Sequence, residues 1–425
     1  MTTTTLRRTA AALAALSLAA SAAACGKAGG GGGGGGQGGV KTGRGVTGST
    51  ITLGALTDLH GEFAAAGQSS TLGNRLYWQD VNAKGGICNR KVKLVVKDHG
   101  YDVQQAVTFY SQIRNQVLGV EQSLGSPMTT ALSPQFQQDT MLAIPASWAS
   151  TLLTNPDIMI VGSTYDVEMI NGVDYLMSKG LLHPGDTVGH IYQEGEYGED
   201  GLLGTQYAAK QNRLKLIPQK IKPTDNDVSA QVTNLKNAGA KAIFLTTGPK
   251  QLASAASSAA ALKYNVPILG NNPVFAPGLM TTSAASALEK NGYIMGSWLS
   301  PSADANPTVN KLVQQVKQNH PNVPLQVSLV WGYGAAQAFG KVLKQACANK
   351  DLTPQGVSQA FRSQSNINTG IIAPLNYTKK GAPPSLKAYV FRPSKSAIGG
   401  LTRITKNLYQ GKDASSYTPP ALKKS

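Results

Sequence analysis

Two α/β lobes, each a doubly wound parallel sheet, are the fold this sequence predicts. Three observations carry the expectation. Apolar segments of period two alternate with segments of helical period, the pattern of βα units whose parallel sheets are covered on both faces. The alternation restarts near the middle of the chain. With a leader and a glycine-rich stretch set aside, about 375 residues remain, enough for two ordinary domains. Hydrophobic residues make up 41% of the chain, which can fill two cores.

In the first half, Ile51, Leu53 and Ala55 alternate with Thr52 and Gly54, so 50–56 reads as a strand. A helix is expected over 72–81, stopped by Gly85-Gly86. Lys91 to Lys97 is a Val-rich strand, and Asp102 caps a helix with Val103, Ala106, Val107, Tyr110, Ile113 and Val117 at helical spacing. Segments 141–145 and 158–162 read as buried strands.

The second half repeats the rhythm. Strands are expected at 187–192, 242–247 and 267–270, and helices at 201–211 and 251–262. Asp227 caps a further helix with Val228, Val232 and Leu235 on one face. Asn306 and Pro307 open another, with Pro307 at the first helical position, where its missing N–H costs little. Residues 333–344 form the last long helix. Two such halves imply two lobes with a cleft between them.

The leader bears on location. Arg7 and Arg8 precede an apolar run from Ala10 to Ala20, too short to span a bilayer, and Ala22-Ala23-Ala24 stand before Cys25. The arrangement resembles a bacterial lipobox, with Ala22 where Leu is usual; it implies a signal peptide over 1–25 and lipidation of the Cys25 thiol. An ordinary signal cut near Ala24 is the alternative. Residues 26–48, with eight consecutive glycines from Gly29 to Gly36, read as a flexible tether. With Cys25 lipidated, Cys88 and Cys347 remain as an even pair, either bridged or free and buried.

The formal charge of +17 is scattered, and the densest groups, Lys379-Lys380 and Lys423-Lys424, are only pairs. No basic run is interleaved with aromatics, so a solvated basic face beside an anionic envelope is expected, not a nucleic-acid site. The five histidines, His60, His99, His183, His190 and His320, are isolated, so no metal site is expected. The sequence contains no Gly-x-Ser-x-Gly elbow, Ser-x-x-Lys pair or phosphate-binding loop. These features point to a binding protein without a cofactor, not an enzyme.

Asn82-Ala83-Lys84-Gly85-Gly86-Ile87 followed by Arg90-Lys91-Val92 resembles the helix-to-strand turn of branched-chain amino-acid binding proteins, the extracellular receptors of one class of ABC importers. Asn89 stands where that family has Gly and tolerates the same left-handed backbone. Gly67-Gln68, Asp98, Asp102, Glu196-Tyr197-Gly198, the segment 227–236, Gly270 and Gly292-Tyr293 follow in the family's order over about 50–400. The resemblance implies a type I periplasmic binding fold, two lobes joined by three crossovers. Lobe I would take 50–165 and 293–387, lobe II 166–292 and 388–412, and a C-terminal tail 413–425. It implies closure on a small-molecule ligand, recognition of the closed form by permease subunits, and anchorage to the membrane through lipid. It also places Cys88 and Cys347 at helix ends of one lobe, where a disulfide is expected.

The resemblance assigns pocket positions residue by residue. Ser126 falls on the Ser that holds the ligand carboxylate, and Ala146 on an Ala of the same clamp. Trp148 stands where a Thr belongs, and Asn272 where an acidic residue binds the ligand ammonium. Tyr197 matches one pocket Tyr, while two others fall on Ala66 and Gly248. A buried ammonium without a carboxylate partner is costly, so a standard branched-chain amino acid is not the expected ligand. Asp166 or Glu168 is the alternative source of that charge. Trp148 with Tyr165, Tyr197 and Trp331 favours a flat or apolar ligand. The runner-up functions are a ligand sensor of the same fold without transport and an envelope hydrolase.

Overall fold

The computed structural model describes residues 39–303 and 305–420. The signal segment, Cys25 and most of the glycine-rich tether lie outside the described residues. Two main sheets organise the chain. The first is all parallel, in the order β3-β2-β4-β5, from β2 (Thr50–Thr57), β3 (Lys91–Asp98), β4 (Gly119–Leu124) and β5 (Ala143–Ala146). A two-residue strand β1 (Lys41–Thr42) pairs with β11 (Asp351–Leu352) at its periphery.

The second sheet has seven strands in the order β15-β14-β10-β9-β8-β6-β7. Strands β6 (Thr187–Gln193), β7 (Lys215–Ile221), β8 (Ile243–Thr246), β9 (Ile268–Asn271) and β10 (Gly292–Gly296) are parallel. β14 (Tyr389–Pro393) and β15 (Leu401–Arg403) add an antiparallel edge. The expected return to lobe I at 293 is corrected here. β10 pairs with β9 and β14 inside the second sheet, so the passage follows Gly296. The expected tail is also partly structural: Ala414 and Tyr417 are buried in the second core, and Tyr417 donates to Asp166 Oδ2 at 2.9 Å.

The helices show where local signals sufficed. Asp102 Oδ1 accepts from Gln105 N at 2.7 Å and starts α2 (Val103–Ile113). Asn306 Oδ1 accepts from Thr308 N and Val309 N, and Pro307 opens the helix 307–319. Asp227 acts from one residue further out than expected: Ser229 N and Ser254 Oγ donate to it, and the helix is Ser229–Asn237. The helix expected at 72–81 is longer, α1 (Ala64–Ala83), and the one expected at 333–344 runs from Val327 to Ala348. The turn at 82–92 is closed by Asn82, whose amide donates to Val92 O and accepts from Val92 N at 2.8 and 2.7 Å. Asn89 adopts φ 59° there, as the motif requires. Cys88 and Cys347 are joined by a disulfide with Cα atoms 5.8 Å apart.

The strand expected at 158–162 is absent. Ile158 makes a single bridge to Ala143, after which the chain leaves the first sheet as a crossover. Side chains hold its carbonyls instead of a ladder: Tyr377 Oη donates to Ile160 O at 2.7 Å, and two indoles donate to Val161 O.

Candidate functional site

One apolar cavity lies at the carboxyl ends of the first sheet's strands, beside that crossover. It encloses about 520 Å3 of empty space including its mouth. Ser126, Ala146, Trp148, Tyr165, Tyr197 and Asn272 all line it, so the structure brings together six residues spread over nearly 150 positions. No charged side chain lines it.

Its first wall is built by α3 (Ser126–Gln138). Gly125 precedes that helix at φ 96°, and a Cβ there would come within 2.8 Å of the Tyr101 ring, so the tight exit from β4 needs glycine. The helix therefore presents its N-terminal end, with its partial positive charge, to the cavity. Ser126 Oγ lies 2.7 Å from Ser147 Oγ. Burial, the largest influence, raises the Tyr165 phenol well above its usual range, so it remains an O–H donor.

The floor is aromatic. The Trp148 ring lies 4.9 Å from Trp298, 5.1 Å from Trp331 and 5.8 Å from Tyr165, and Tyr165 lies 4.7 Å from Tyr197. Three of the polar tips are used within the protein, whereas Trp298 Nε1 is buried without a partner. Trp148 Nε1 and Trp331 Nε1 donate to Val161 O at 2.9 and 3.0 Å, and Tyr197 Oη donates to Asn271 Oδ1 at 2.7 Å. What remains for a ligand is ring surface. Asn272 and Ser328 differ: Asn272 Nδ2 and Ser328 Oγ are buried in the lining without a partner in the protein. Such groups are costly unless a bound molecule pairs them.

The two carboxyls that could have replaced the missing acid at 272 are engaged elsewhere. Asp166 accepts from Thr164 Oγ1, Val167 N and Tyr417 Oη, and Glu168 from Ser297 Oγ at 3.0 Å. Neither lines the cavity. Burial pushes the Glu168 carboxyl up to about 8.

Phe63, Tyr101, Ser70 and Ser328 also line the cavity and were not singled out from sequence. Tyr101 had a signal: it lies between Asp98 and Asp102, after Gly100, in a turn that places it at φ 64°. Its ring packs against Phe63 in a tilted arrangement, with centroids 4.8 Å apart. Ala66 lines the cavity where a family Tyr was expected, whereas Gly248 does not.

Two doubly wound lobes meeting around a largely apolar cavity define a solute-binding protein. The chain belongs to the periplasmic binding protein family, whose model matches residues 50–397. A fatty acid ABC transporter substrate-binding protein from Thermomonospora curvata is 42% identical, with a TM-score of 0.87 over 90% of this chain and 98% of that one. Leu/Ile/Val-binding protein homolog 3 of Brucella melitensis biotype 1 is 26% identical over 375 residues, 83% of this chain and 93% of that protein. A valine-bound branched-chain amino acid ABC transporter protein from Thermus thermophilus shares the fold, with a TM-score of 0.75 at 17% identity over 88% and 99% of the two chains. The protein is an ABC-transporter substrate-binding protein of the type I periplasmic fold. Its family comprises solute-binding proteins, not enzymes. Among the described residues, no helix is long and apolar enough to cross a membrane.

Proposed function

We propose that this protein captures an apolar or aromatic small carboxylic acid between its lobes and delivers it to an ABC importer. The observation that carries this reading is the lining itself: aromatic faces, a helix N-terminus beside Ser126, and a neutral Asn272 in place of an ammonium-binding acid. A carboxylate at the Ser126 end would gain from the helix dipole and the hydroxyls, and the Trp148, Tyr165 and Tyr197 rings would cover an apolar body. The fatty-acid relative at 42% identity supports this class. Leucine, isoleucine and valine would bury an ammonium with no carboxylate to meet it. Tethering through a lipid on Cys25 would keep the receptor near the permease.

The test is a thermal-shift and calorimetric panel of octanoate, benzoate, leucine, isoleucine and valine on the mature protein. A binder at a hundred times its dissociation constant adds about 2.7 kcal/mol, a readily measured rise in melting temperature. Octanoate or benzoate is expected to produce it, and the three amino acids are not. Micromolar binding of any of the three would overturn the ligand class.

A further inference from the structure

Away from the lining, one cross-lobe contact has unusual chemistry. Glu62 lies in the loop between β2 and α1 in the first lobe. That loop is fixed from within, because Asp58 accepts from Gly61 N at 2.5 Å and from Phe63 N at 2.9 Å. Glu62 reaches across the cleft to the start of α7 (Pro249–Ala261) in the second lobe. A Cβ on Gly248 would overlap Glu62 Oε1 and lie 2.8 Å from Gln251 Oε1. The position where the resemblance places a pocket Tyr is thus glycine here, and the Glu62 carboxyl occupies the space.

The two oxygens that converge on Gly248 are both buried acceptors without a partner. The orientation of Gln251 is not free. Its Nε2 donates to Asp225 O at 3.0 Å and Pro223 O at 3.3 Å, which leaves Oε1 as the atom on the Gly248 side, where Glu62 Oε1 also lies. A carboxylate against a carbonyl oxygen offers no hydrogen and repels it. A carboxylic acid donates its O–H and satisfies both groups.

We propose that Glu62 is a proton-operated latch: it closes on Gly248 and Gln251 as the neutral acid, and closure takes up one proton that opening returns. Other groups nearby pull in both directions. Lys250 and the α7 N-terminus favour the carboxylate, while burial and Asp58 favour the acid. His60, in the same loop, is paired with Asp98. Tyr101 and Tyr197 both feel the Glu62 charge from neighbouring elements, and Glu196 acts on Tyr101. Burial is the largest influence and raises the Glu62 carboxyl from 4.5 to about 7, so the latch works near neutral pH. The proposal needs the two lobes and their contact, not the identity of the ligand.

The test reads lobe separation directly. Spin labels are placed at Arg75→Cys on α1 and Lys210→Cys on the helix 196–211, in a chain carrying Cys25→Ser. Pulsed dipolar spectroscopy is run at pH 5.5 and 8.5, without ligand and with octanoate or benzoate. The ratio of closed to open molecules is expected to be on the order of tenfold higher at pH 5.5. Glu62→Gln, whose amide can donate to Gln251 Oε1, should hold the low-pH ratio at both values. Gly248→Ala, which displaces the carboxyl, should remove the pH response without touching Glu62. An unchanged ratio in the parent, a pH response retained in Glu62→Gln, or one long distance in every sample would each overturn the latch. Closure on acidification with no response to octanoate or benzoate would uphold the latch and count against the ligand class instead.

Discussion

The floor and the mouth of the cavity are built on opposite principles. At the floor, the Trp148 and Trp331 indoles and the crossover serines are paired, and of the clustered indoles Trp298 alone keeps an Nε1 without a partner. Trp148 and Trp331 share Val161 O, and Ser297 Oγ accepts from Ser163 N at 2.9 Å while donating to Glu168. Ser163 and Ser297 belong to two different crossovers, so Glu168 and the two serines hold these strands together where the lobes must hinge. At the mouth, Glu62 and Gln251 come from different lobes, and their facing oxygens are unpaired. Paired groups in a low-dielectric site fix one geometry; unpaired acceptors make a contact whose stability depends on a proton. The floor is therefore a hinge support, and the mouth is the part that can be switched.

The largest expected effect comes from breaking the floor. Trp148→Ala removes a fully packed indole from Trp298, Trp331 and Tyr165 and leaves Val161 O with one donor fewer. It should cost about 3–5 kcal/mol in chemical denaturation. A loss below about 1 kcal/mol would mean that the indole is not part of the support.

The wall between floor and mouth is tested by Asn272→Asp. A carboxylate there would repel an acidic ligand and give an ammonium its missing partner. At neutral pH, octanoate binding should weaken about tenfold or more, and leucine binding should appear or strengthen, both read by calorimetry. No change in either would place residue 272 outside the ligand's reach.

The smallest effect concerns pH and stability. Burial raises the Glu168 and Glu121 carboxyls from 4.5 to about 8 and lowers the fully buried His190 from 6.5 to about 3. The folded protein therefore holds protons on Glu168 and Glu121 that the unfolded chain releases. Their contribution is complete below about pH 4.5 and is lost as pH rises through 8. His190 acts the other way: the unfolded chain takes a proton that the folded protein refuses, so its contribution falls as pH drops below 6.5. Two raised carboxyls outweigh one depressed histidine, so urea unfolding across pH 5–9 should show stability falling as pH rises, less steeply below about pH 6.5, where His190 opposes the carboxyls. Glu168→Gln should flatten the alkaline side, and an unaltered alkaline decline would assign it to Glu121 and the mouth alone.

Local sequence determined the elements with local causes. Strand β2, the Asp102 and Asn306 caps, Pro307 at a helix start and the Asn82–Asn89 turn each follow from a few neighbouring residues, and the structure places them there. The first two turns of α1 carry Gly67, Ser69, Ser70 and Thr71, which favour a helix poorly; packing against the helix 327–348 overrides that preference. The apolar run 158–162 has the composition of a strand but has no ladder beyond one bridge, because the chain must cross between lobes. Of the six expected lining positions, Ser126, Ala146, Trp148, Tyr197 and Asn272 were legible only through the resemblance, since no period links Ser126 to Asn272, and Tyr165 only as an aromatic beside them. Phe63 and Ser328 had no signal of their own, because lining a cavity depends on where two lobes meet. Glu62 shows the limit most clearly. Its side chain is an ordinary charged loop residue until Gly248 and Gln251 arrive from the other lobe. Desolvation and a fixed neighbouring carbonyl oxygen, which only the tertiary structure supplies, then decide which of its two protonation states fits.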